Sequence, residues 1–154
     1  MIWRAGILAL VFFVQVFARA ADEADGITGV WRMAEDKSRV QIFKTNGVYV
    51  GKIISLKDPS WPANDEEGMG GKPKNDRRNP DTKLRSRPIV GLELMSGFKF
   101  AGSQTWDSGH VYDPENGKTY RGKLYLTSTN QLELRGYVGL PIFGRTEVWR
   151  RADD

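Results

Sequence analysis

The sequence predicts an all-β fold, an antiparallel meander β-barrel of about eight to nine strands with one long loop between the third and fourth. Three observations lead there. From Thr28 onward, short segments of alternating apolar and polar residues recur, separated by turn residues at roughly ten-residue spacing. No stretch carries a 3.6-residue period, so helices are not expected. Most joints between the segments are tight turns, which makes consecutive strands antiparallel neighbours.

Taken in order, the chain begins with Met1-Ile2-Trp3-Arg4, the apolar run Ala5 to Phe17, and Ala18-Arg19-Ala20. A basic start, a short apolar stretch and an A-x-A site are the parts of a secretory signal peptide, here cleaved after Ala20. The run is shorter than the about 20 apolar residues that a permanent transmembrane span needs. Residues 21–27 then read as a flexible N-terminal segment, 28–151 as the barrel domain and 152–154 as a C-terminal tail. Cysteine is absent, so neither a disulfide nor a lipid-modified cysteine is available. The mature protein is therefore expected in the periplasm or outside the cell, without a stable membrane anchor, held together by its core.

Strands are expected near Gly29 to Met33, Arg39 to Lys44, Gly47 to Leu56, Ile89 to Met95, Ser103 to Asp107, Gly109 to Asp113, Thr119 to Thr127, Gln131 to Gly136 and Arg145 to Arg150. Asn46-Gly47 supplies the positive φ angles of a hairpin. Asp113-Pro114-Glu115-Asn116-Gly117-Lys118 combines a proline with an Asn-Gly pair and reads as a turn. Asp107-Ser108-Gly109 and Ser128-Thr129-Asn130 read as further hairpin tips. Residues 57–87 break the pattern with Asp58-Pro59-Ser60-Trp61-Pro62, Gly68-Met69-Gly70-Gly71 and Asn79-Pro80-Asp81. A loop longer than about 12 to 15 residues within a compact domain is usually functional or disordered. A barrel of about eight strands is just wide enough to be filled by side chains or to hold one small ligand, so closure alone does not decide function.

Composition narrows the function. Arg4 and Arg19 fall in the leader, so 23 lysines and arginines become 21 against 19 acidic residues, a net +2. The basic residues alternate with acidic ones along the chain, which argues against nucleic acid as a partner. His110 is the single histidine, and no G-x-S-x-G, H-E-x-x-H or phosphate-cradling glycine loop occurs. No enzyme, cofactor or metal site is expected from these residues. Asp65, Glu66, Glu67, Asp76 and Asp81 share the long loop, but their spacing is not that of an EF-hand and reads as solvated carboxylates.

Two groups of residues remain as binding candidates. Lys52 interrupts the alternate apolar positions Val48, Val50, Ile54 and Leu56, so its charge must reach solvent, a partner or a ligand. Tyr49, Phe98, Trp106 and Tyr137 belong to an aromatic supply suited to lining a small-molecule pocket. Arg135 is the arginine that can meet a carboxylate or phosphate headgroup at the barrel mouth. A second arginine role is structural. Arg85, Arg87 and Arg145 lie near Asp76, Asn79, Asp81 and Asp113 in motif-like blocks, where guanidinium–carboxylate forks can pin the long loop to the barrel.

Gly29-Val30-Trp31 on the first strand with Trp149-Arg150-Arg151 ending the last resembles the lipocalin and calycin signature. That resemblance implies that Trp31 closes the barrel floor beneath Arg150. Four further blocks, Asn79 to Leu92, Trp106 to Tyr120, Leu132 to Tyr137 and Phe143 to Trp149, are similar to the exported bacterial family called domain of unknown function 2147. Membership implies a lipocalin-like barrel and an exported location, and assigns no activity. The first functional expectation is a carrier for a small hydrophobic or amphipathic, fatty-acid-like molecule. The alternative is a cell-envelope protein-interaction module using the long loop and Val138-Gly139-Leu140-Pro141-Ile142. An enzyme using loop carboxylates with Arg135 or His110 comes last.

Overall fold

A computed structural model describes residues 22–152; the expected signal peptide, residues 1–20, lies outside them. Eight strands, β1 (Gly29–Arg32), β2 (Ser38–Thr45), β3 (Val48–Leu56), β4 (Glu93–Gly102), β5 (Thr105–Asp113), β6 (Lys118–Ser128), β7 (Gln131–Tyr137) and β8 (Arg145–Arg151), follow each other around a closed antiparallel barrel. Closure joins β8 to β1 through Trp31 opposite Arg151 and Arg32 opposite Arg150, so no sheet edge is left open.

Expected and observed strands differ most between Ile89 and Asp113. β4 begins at Glu93 and runs on to Gly102, and the hairpin follows at Ser103 and Gln104, both with positive φ. Asp107-Ser108-Gly109 is no hairpin tip. The register of β5 against β6 shifts between Trp106 and Gly109, and Ser108 has φ 62°, which marks a bulge within one continuous strand. A bulge and a tight turn share the same local chemistry, so nine expected strands become eight.

The core comes from one face of each strand. Trp31, Val40, Ile42, Tyr49, Met95, Phe98, Trp106, Leu124, Leu132 and Trp149 are wholly or almost wholly buried and form one cluster. On β3 the inward residues are Tyr49, Gly51 and Ile53, while Lys52 and Ile54 are exposed. The expected apolar face of that strand therefore had the opposite phase, and Lys52 stands outside, its ammonium 5.6 Å from the Phe43 ring.

Both barrel ends are covered. Residues 22–27, read as a flexible segment, instead include a 3-10 turn at Asp25–Ile27 whose Ile27 is wholly buried. Three core aromatics from the barrel donate into it: Trp31 Nε1 to Ile27 O at 2.8 Å, Trp106 Nε1 to Ala24 O at 3.0 Å and the Tyr49 hydroxyl to Asp25 Oδ1 at 2.5 Å. A buried indole or phenol needs an acceptor, and this segment supplies two backbone carbonyls for the indoles and the Asp25 carboxylate for the phenol. The long loop covers the opposite end. Gly91 N donates to Ile53 O at 2.7 Å, Ile53 N to Leu92 O at 2.9 Å, and Ile89 and Leu92 join the core.

Candidate functional site

The barrel interior is the first place to look for a ligand, and it is occupied. A side chain facing a ligand chamber keeps accessible surface toward it; Met95, Phe98, Trp106, Leu124 and Trp149 keep none. Glycines explain the fit of Phe98. Gly109 on β5 and Gly122 on β6 face its ring, a Cβ at Gly122 would stand 2.6 Å from Phe98 Cζ, and one at Gly109 would collide with the ring outright. Tyr49 packs edge-on against Trp106, with ring centroids 6.3 Å apart and planes at 84°. The expected pocket residues Tyr49, Phe98 and Trp106 are thus the filling of the barrel. Closure at eight strands leaves room for side chains or for a ligand, and large aromatics at inward positions take that room.

The other three pocket candidates are elsewhere. Lys52 is on the outer face. Arg135 is committed to the connection between β7 and β8: its Nε donates to Pro141 O at 2.6 Å, one terminal nitrogen to Thr146 Oγ1 at 2.8 Å and the other to Ile142 O at 3.1 Å. Tyr137 is buried outside the core cluster, with Gly144 of the same connection against its Cβ. The six residues do not converge on one site.

The long loop is organised by Asp76, which is wholly buried. Its Oδ1 accepts the Tyr112 hydroxyl of β5 at 2.6 Å; its Oδ2 accepts Asn79 Nδ2 and Arg87 Nε, both at 2.8 Å. A second Arg87 nitrogen lies 2.8 Å from the same Oδ2, so the contact converges on one oxygen rather than forming a two-oxygen fork. Arg85 Nε donates to Asn79 O, and Asp81 receives the Lys83 amide at the start of a short 3-10 turn. Burial first, and then the bond to Asp76, push the Tyr112 phenol up to about 12. Asp76, Asn79, Arg85 and Arg87 therefore tie loop to barrel through Tyr112, a partner absent from the expected set. Asp113 instead caps its own turn through Glu115 N and Asn116 Nδ2, and the Arg145 side chain forms no ion pair or hydrogen bond among the described residues.

The glycine-rich half of the loop is folded too. Arg77 stacks 3.5 Å from the Trp61 ring centroid and pairs with Asp65 at 2.8 Å, which holds that carboxyl below its usual range. Asp65 also accepts the Glu67 and Met69 amides. That local capping had a sequence signal in an aspartate followed by Glu-Glu-Gly; the Trp61–Arg77 stack had none.

The arginine over Trp31 is Arg151, not Arg150. Strand alternation places Trp149 and Arg151 inward and leaves Arg150 exposed. The Arg151 guanidinium lies 4.2 Å from the Trp31 ring centroid and donates to Gly26 O, Thr28 O and Thr129 O. Gly29, with φ 118°, admits it, since a Cβ there would stand 2.9 Å from its nitrogen. His110 is exposed on β5 opposite Ser96 and Arg121, two residues before Tyr112, and its side chain forms no hydrogen bond or ion pair with a loop carboxylate among the described residues.

At the end of the barrel that the long loop covers, the β7–β8 connection presents apolar side chains to solvent. Val138, Leu140, Ile142 and Phe143 are 64–78% exposed.

Among solved structures, the chain is similar to protein HP1028 from the human pathogen Helicobacter pylori, described as belonging to the lipocalin family. The two share 28% identity with a TM-score of 0.69, over 83% of this chain and 84% of that one. A comparison with curated proteins found no match. The closed eight-stranded meander is lipocalin-like, and the family model described as "Uncharacterized protein conserved in bacteria (DUF2147)" matches residues 29–151. The chain belongs to that DUF2147 family.

Proposed function

We propose that this is an exported, non-catalytic binding protein of the bacterial cell envelope, which engages its target with the outside of the barrel at the β7–β8 connection. One contrast carries this reading: the aromatic residues suited to a pocket are packed inside, while four large apolar residues stand in solvent on a single connection. Exposed apolar groups gathered in one place mark an interaction surface. Asp76, the one wholly buried carboxylate of the long loop, has both oxygens occupied and is not available as an acid or base. The N-terminal leader supports export.

A second reading keeps a small hydrophobic or amphipathic molecule inside the barrel, favoured by the likeness to a lipocalin-family protein. It requires Phe98 to leave its seat between Gly109 and Gly122. The test joins two measurements on protein from the periplasm. Native mass spectrometry is expected to give the bare polypeptide mass. A photo-crosslinker at position 143 in living cells is expected to trap an envelope component that the same group at Lys99, exposed on β4, does not. A stoichiometric small molecule would replace the surface reading with the carrier reading, and equal crosslinking at both positions would end the surface reading.

A further inference from the structure

The structure assigns the β7–β8 connection and the cations at its base to one target, the surface of an anionic phospholipid bilayer; this rests on the surface reading proposed above. Rigidity is the first observation. Pro141–Phe143 forms a 3-10 turn closed by Phe143 N to Leu140 O at 3.1 Å and Gly144 N to Pro141 O at 3.0 Å. Arg135 grips Pro141 O and Ile142 O from below. The apolar side chains are thus held outward by a fixed backbone, and folding has left them there although Tyr137 beneath is buried.

Charge is the second. Arg121 lies opposite Tyr137 with its guanidinium 5.8 Å from that ring; Lys123 lies opposite Arg135; Arg145 opens β8 directly after the connection. None of these three cations forms a salt bridge among the described residues. The nearby carboxylate of Glu147 accepts the Ala34 amide at the barrel rim, and Glu133 lies two pairs beyond Lys123–Arg135, opposite Tyr125. An apolar tip above unpaired cations matches the interfacial region of a membrane, where side chains enter the acyl boundary and lysine or arginine meets the phosphates.

Size favours lipid over protein. Four side chains on one short connection fall well short of the roughly 800 Å² per partner that a standard protein interface buries. A bilayer sets no such requirement, because insertion about 5 to 10 Å deep already covers the tip.

Flotation of protein from the periplasm with vesicles tests this directly. Binding to phosphatidylcholine vesicles containing phosphatidylglycerol is expected, with much less to phosphatidylcholine alone and a decline as salt rises. Ile142→Asp with Phe143→Asp should reduce binding at least tenfold. Arg121→Gln and Arg145→Gln, which leave the apolar tip in place, should each reduce it about fivefold. All these side chains are exposed, so thermal midpoints should match the parent, and a lowered midpoint is checked against the two arginine variants. Failure of the parent to float with the anionic vesicles, or parent-like flotation of the double aspartate variant, overturns the assignment. Equal binding to both vesicle types overturns its anionic part. If position 143 still crosslinks selectively to an envelope protein while no vesicle binds, the lipid inference falls and the surface reading stands; if neither occurs, both fall.

Discussion

Asp76 shows how much one buried charge can organise when both carboxylate oxygens have donors. Tyr112, Asn79 and Arg87 all point at it from the barrel and from two parts of the loop. Removing it leaves the Tyr112 and Asn79 donors without an acceptor in a largely buried site, while Arg87 keeps partial contact with solvent, and the loss costs more than the bonds were worth net. Asp76→Ala is therefore expected to destabilise the fold by about 2–4 kcal/mol, measured as a lower urea midpoint with unchanged slope. Tyr112 adds a pH signature. Its folded pKa of about 12 exceeds the ordinary 10.0, so the neutral phenol is favoured in the folded state. That stabilisation is complete below pH 10 and is lost as pH rises from 10 toward 12. Stability against urea should fall across that window, and Tyr112→Phe should flatten the fall. Asp76, Asn79, Arg85 and Arg87 were legible as a loop-pinning group from their clustered chemistry. Tyr112 was not, because its hydroxyl meets them only through a contact 36 residues away.

At the scale of elements, hairpins with Asn-Gly chemistry were readable, and the β2–β3 turn falls at Asn46 and Gly47, both with positive φ. The bulge at Ser108 was not, since positive φ beside a glycine serves a bulge or a turn equally well. The segment 22–27 misled for another reason: its composition is polar, but its role is to present backbone carbonyls to Trp31, Trp106 and Arg151. Ile27 seals that end from within the core cluster. Ile27→Ala should cost about 2–5 kcal/mol through the cavity it leaves, seen as a lower thermal midpoint, and should raise tryptophan exposure to quenchers. Were the segment merely flexible, the substitution would leave stability unchanged.

For the whole molecule, closure decides what is inside and what is offered outside. Filled by Phe98, Trp106 and Trp149, the barrel should gain no stability from added fatty acid, so its thermal midpoint should stay constant at concentrations that shift a ligand-binding barrel. A concentration-dependent rise would show that the interior opens. The sequence by itself determined the all-β class, the hairpin turns at Asn46–Gly47, 113–118 and 128–130, the family and the supply of aromatic core residues, because period-two patterning and turn chemistry act between near neighbours; the β4–β5 turn at Ser103 and Gln104 was not among them. The tertiary structure alone decided which face of β3 turns inward, that Arg151 and not Arg150 covers Trp31, that Phe98 finds two glycines to fill the interior, and that the β7–β8 connection leaves its apolar side chains in solvent. Each of these depends on strand phase after a bulge or on contacts closed around the barrel, and such contacts join residues that have no signal in each other's local sequence.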